Sequence, residues 1–134
     1  MRFAIIGVVL LVLIGAGVVL ISRSTDENIA ARVQIIGVWK STQDARFTRE
    51  FKNDGMVIDT YEGSMPNSAA RWNIFTKQIP VNEYSGSLED GAIYLAIAAP
   101  TKSEALYFKI TKVDAHNLEL VYLDRGGTLV FTKE

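Results

Sequence analysis

The chain has 134 residues, a net charge of −1, no cysteine and a single histidine. Without cysteine it has no disulfides, no thiolate chemistry and no cysteine-type zinc site. Its near-zero charge gives no electrostatic basis for binding nucleic acid. Once the apolar N-terminus is set aside, about 100 residues remain, enough for one domain with a modest core.

The first predicted element is Phe3–Ile21, FAIIGVVLLVLIGAGVVLI, a run without a charge. As a helix its ~19 residues extend about 28 Å, which suits a hydrocarbon core of roughly 30 Å. A cleaved signal usually has an apolar run of roughly 7–15 residues and a small-residue exit. Here the run is longer and Ser22-Arg23-Ser24 is a poor cleavage match. Residues 1–22 are therefore read as a retained signal-anchor, a single transmembrane helix, in preference to a cleaved signal. Arg2 and the terminal amine on one side nearly balance Arg23 and Arg32 on the other. The very short N-terminal tail favours an inside N-terminus, which puts the domain on the extracytoplasmic side.

Residues 23–34 are read as a linker or short helix. Ser24 and Glu27 fit a capping box, and Ile29 and Val33, four apart, share one helical face. The segment is either a small helix against the base of the domain or a solvated spacer.

From residue 36 the apolar pattern has period two, broken by regular turns. Strands are predicted near Ile36–Lys40, Arg46–Phe51, Met56–Glu62, Ala70–Thr76, Ala92–Ala98, Glu104–Lys112, Leu118–Leu123 and Thr128–Thr132. Asn53-Asp54-Gly55 is a hairpin turn between the second and third. Lys77–Gly91 is the longest irregular piece. Eight short strands with mostly short links favour neighbour-to-neighbour antiparallel pairing. An all-β, eight-stranded up-and-down barrel over residues 35–134 leaves no free edge; a two-sheet sandwich is the alternative.

Gly37-Val38-Trp39 on the first strand, the turn Glu50-Phe51-Lys52-Asn53-Asp54-Gly55 and the final hairpin Tyr122–Lys133 together resemble small bacterial lipocalin-like (calycin) domains. The resemblance implies a barrel with Trp39 across its closed end, under a basic residue at the end of the last strand. Lys133 holds that position, where true lipocalins usually carry Arg. It also implies a membrane-tethered module for a small apolar or amphiphilic ligand. Relatives include inhibitors, so a protein-interaction or structural barrel with a filled core is the other expectation.

No catalytic set is read from the sequence. His116 lies in a predicted turn, Glu89-Asp90-Gly91 and Asp124-Arg125 read as turns, and Gly126-Gly127 leads into a strand, not a phosphate-binding helix. No metal site or cofactor is implied, and the protein partner is left open. A ligand would enter opposite Trp39, near Asp44, Asn67, Lys102 and Arg125. The candidate ligand-binding residues are Phe47, Arg49, Trp72 and Tyr122. If the Phe47/Phe51 face is inward, Arg49 needs an anionic partner, such as a ligand carboxylate. Phe47, Phe51, Trp72, Phe108, Tyr122 and Phe131 compete for the interior, so a filled core stands beside a cavity as an outcome.

Overall fold

The structure, a computed structural model, describes residues 26–66, 70–99 and 104–134. The predicted anchor over residues 1–22, the Ser24 cap, Asn67 and Lys102 lie outside these residues. Among the described residues no helix is long and apolar enough to cross a membrane.

A helix over residues 26–35 (α1) leads into eight strands: β1 Gly37–Ser41, β2 Phe47–Phe51, β3 Met56–Tyr61, β4 Ala70–Phe75, β5 Ile93–Ala98, β6 Leu106–Val113, β7 Asn117–Tyr122 and β8 Thr128–Lys133. Each pairs antiparallel with the next, and β8 returns to β1, closing the barrel. The predicted strands match these within a residue or two. The seam between β3 and β4 is the thinnest, with Met56↔Arg71 and Val57↔Ala70 as its register pairs. The Trp72 amide extends it by donating to the Gly55 carbonyl (2.9 Å).

Side chains alternate across the barrel wall, so cross-strand partners share a face. The register row Lys133↔Trp39↔Arg49↔Asp59 runs inward. So do Phe51, Ile74, Leu95, Phe108, Leu118, Leu120 and Phe131, all essentially buried in one cluster. Phe47, Ala70, Trp72, Tyr122 and Leu129 pack partly buried against that cluster.

The closed end is built by α1, β1 and β8 together. Ala31 and Ile35 bury one face of α1 against the core, and Arg32 Nη2 donates to the Ile74 carbonyl (2.7 Å) and to Asn73 Oδ1 (2.9 Å). Ile29 and Val33 do share a helical face, but it is the exposed one. The last carbonyls of a helix have no partner within it. Here the Trp39 indole donates to the Ile35 carbonyl (2.7 Å) and the Lys133 ammonium to the Gln34 carbonyl (3.3 Å). A cation at that end also suits the helix dipole. The same ammonium sits 5.1 Å from the Trp39 ring centroid.

Gly37 makes this crossing of chains fit. Its φ is +137°, and a Cβ there would come within 2.6 Å of Lys133 Cε. The glycine two residues before Trp39 therefore lets the lysine stem pass over the strand.

The irregular segment between β4 and β5 is a covering layer. Val81, Tyr84 and Leu88 pack on Phe75, Tyr94 and Tyr107, which point outward from β4, β5 and β6. Phe75 and Tyr94 stack at 5.3 Å, and Tyr84 lies 4.8 Å from Tyr107. This part of the wall is thus apolar on both faces.

Candidate functional site

Inside the barrel, Phe47, Arg49 and Tyr122 come together around Phe108. The Arg49 guanidinium lies 5.5 Å from the Phe47 ring and 6.0 Å from the Phe108 ring, and Phe108 meets Tyr122 edge-on at 5.1 Å. Trp72 stands apart from this group. It packs edge-on against Phe51 at 5.7 Å, and its indole donates to the Lys52 carbonyl (2.9 Å). Trp72 therefore fills the wall where β3 and β4 separate.

The anionic partner required by an inward Arg49 belongs to the chain itself. Asp59, its register neighbour on β3, accepts from Nε (2.7 Å) and Nη2 (2.8 Å) in a two-point fork. Such paired geometry is what a buried guanidinium demands. Arg49 is 6% exposed, and its Nη1 is buried without a hydrogen-bond partner among the described residues.

The opposite end of the barrel carries a polar rim. Asp44 accepts from Arg46 Nε (3.1 Å) and from the Tyr61 hydroxyl (2.9 Å), while the Arg46 guanidinium sits 4.8 Å over the Tyr61 ring. The Arg46 and Tyr61 hydrogen bonds hold the Asp44 carboxyl down at about 2. The same bond to Asp44 pushes the Tyr61 phenol up.

An open concavity lies outside, on the wall of β4, β5 and β6. It is a groove of about 830 Å³. Ala96, Ala98 and Ala105 line it with small side chains, Tyr84 and Tyr107 with aromatic ones, and Glu83, Glu104 and Asp124 with carboxylates; among the described residues Arg71 is its cation. Tyr107 is 9% exposed, and its hydroxyl makes no hydrogen bond among the described residues. Burial raises its pKa, and the charges of Glu83 and Asp124 raise it further.

Gly86 shapes one wall of this groove. A Cβ there would collide with the Tyr84 hydroxyl. Tyr84 has little freedom to retreat, since Phe75 lies 6.1 Å and Tyr107 4.8 Å from its ring.

Sequence reasoning placed the ligand site inside and did not find the outer groove. The available signal was β5, IYLAIA, which is apolar at every position. A strand without alternation is covered on both faces. His116 is exposed, and its amide donates to Asp114 Oδ1 (2.8 Å). Glu89 pairs with Lys109 (2.7 Å) and Asp90 with Lys77 (3.1 Å). Among the described residues no group of three or more His, Asp or Glu side chains could hold a metal ion.

No protein-family model matches the chain, no curated protein is similar to it in sequence, and no solved structure matches it.

Proposed function

We propose that this chain is a membrane-tethered, lipocalin-like domain whose barrel interior is its own core and whose recognition surface is the outer wall. The observation that carries this reading is the location of open space. Inward side chains bury one another, Arg49 already has an internal counter-ion, and a groove of about 830 Å³ opens outside. The domain then acts as a binding and interaction module, not as an enzyme.

The charge-free run Phe3–Ile21 ahead of α1 supports the tether. Ile29 and Val33, exposed on α1, add an apolar stripe suited to the membrane interface. The full chain is expected to stay with membranes through an alkaline carbonate wash, and a variant lacking residues 1–22 to be released. A C-terminal reporter active only outside the cytoplasm would agree with the extracytoplasmic placement.

A second reading keeps the ligand inside. It is favoured by the unpartnered Nη1 of Arg49 among the Phe47 and Phe108 rings, where an amphiphile's anionic head would find a donor. Native mass spectrometry of the detergent-released full chain separates the two readings. A filled core gives the bare mass. Stoichiometric retention of an amphiphile, lost in Arg49→Met, would sink the outer-wall reading in favour of the inner one.

A further inference from the structure

We propose that the groove on the outer wall takes a small organic cation, an ammonium or guanidinium group carried on a short apolar or aromatic body. The inference rests on the outer-wall reading above and names the class of occupant.

Three observations converge on it. The first is the Tyr107 hydroxyl. The residue is nine-tenths buried and lines the groove, yet that oxygen has no hydrogen-bond partner among the described residues. Facing the groove, that oxygen is free to accept a hydrogen bond from an arriving N–H donor. The second is charge. Glu83 and Asp124 line the same groove, both exposed and outside every ion pair among the described residues. Both lie close enough to the Tyr107 phenol for their charges to disfavour its ionisation, so the site keeps a neutral acceptor beside two anions. The third is the surface itself. Tyr84 and Tyr107 present aromatic rings, whose electron-rich faces attract cations, and Ala96 and Ala105 leave room for an apolar body. An anion would meet three carboxylates here, Glu83, Glu104 and Asp124, with Arg71 as the one cation of the lining among the described residues.

The test is an NMR titration of the full-length chain in maltoside micelles at pH 7, with three probes of one shape: benzylamine, benzyl alcohol and benzoate. Benzylamine is expected to shift the amides of Tyr84–Gly86 and Ala105–Tyr107 saturably. Benzyl alcohol should bind about tenfold more weakly, the scale of one good cation–π and ion-pair contribution, and benzoate should not bind. Glu83→Gln and Asp124→Asn, both at exposed positions, should each weaken benzylamine several-fold. Tyr107→Phe should weaken it without altering the inner-core resonances. Equal binding of benzylamine and benzyl alcohol, or indifference to both carboxylate variants, overturns the cation while leaving the groove as a binding surface. If no probe moves the groove amides, both this inference and the outer-wall reading fail.

Discussion

The barrel wall carries aromatic clusters on both of its sides, and the two are built differently. Inside, Trp39, Phe51, Phe108 and Phe131 are each at most 1% exposed, and the only polar handle of these four, the Trp39 indole N–H, is paired to a helix carbonyl. Outside, the cluster is Phe75 with Tyr84, Tyr94 and Tyr107, roofed by a loop in place of a second sheet. Tyr94 uses its hydroxyl to accept from the Glu89 amide (2.8 Å), which pins the loop, while Tyr107 leaves its hydroxyl at the groove. The four inner rings are essentially buried, whereas the outer cluster is covered on one side only and keeps the Tyr107 hydroxyl at an open groove.

The largest expected effect falls on the inner cluster. Trp39→Ala removes a wholly buried indole and releases the carbonyl of Ile35, with an expected loss of about 3–5 kcal/mol. At about 4–8 °C per kcal/mol for a domain of this size, the melting temperature should fall well beyond 10 °C. A melting temperature that barely moves would mean that the closed end is not where the core is anchored.

Next in size is the Arg49–Asp59 pair. Asp59→Ala strands a guanidinium that is 6% exposed. Breaking a buried pair from one side costs about 3–5 kcal/mol, and the partly exposed Asp59 carboxylate puts this case near the lower figure. The double replacement Arg49→Met with Asp59→Leu should recover most of that loss, because two apolar groups of similar volume need no counter-ion. Denaturant melts of the single and double variants provide the check. If the double variant stays as unstable as the single, the pair contributes something its geometry does not reveal.

The outer cluster should respond less. Gly86→Ala drives a methyl group into the Tyr84 hydroxyl, and Tyr84 can yield only by leaving Phe75 and Tyr107. An overpacked but partly exposed site of this kind should lose about 1–2 kcal/mol. The inner-core resonances should hold while those of Val81, Tyr84 and Leu88 shift. A loss as large as that of Trp39→Ala would erase the distinction between the two sides.

The sequence made the inner side legible and left the outer side obscure for a physical reason. Alternation shows which residues share a face, and it puts Phe47, Arg49 and Phe51 on one, as the structure does. It does not show which residues meet across the barrel. Asp59 sits ten positions from Arg49 and becomes its partner through the register that the Asn53–Gly55 turn sets. The outer face was harder still. Tyr84 lies in a segment with no period, and its contact with Tyr107 depends on how the loop folds back over the sheet. Ile29 and Val33 illustrate the same limit, because an i, i+4 pair defines a stripe but not which neighbour covers it.

The smallest effect belongs to the rim, where a polar network sits in water and changes titration more than stability. Arg46 and Tyr61 hold the Asp44 carboxyl at about 2 against an ordinary value of 3.8. A depressed carboxyl adds stability that is fully present above its unfolded value and is lost as pH falls through its folded one. The Asp44 contribution should therefore be intact above about pH 4 and disappear between roughly 3.8 and 2. Tyr61→Phe removes the second-largest cause, so the Asp44 titration followed by carbon NMR should move upward, while the Arg46 hydrogen bonds keep it below 3.8. The melting temperature at pH 7 should barely change, because exposed networks of this kind contribute little. An Asp44 titration unmoved by Tyr61→Phe would mean that the hydroxyl does not donate to it in solution. The rim would then reduce to the Asp44–Arg46 pair, with the Arg46 guanidinium over the Tyr61 ring as the remaining tie between β2 and β3 at this end.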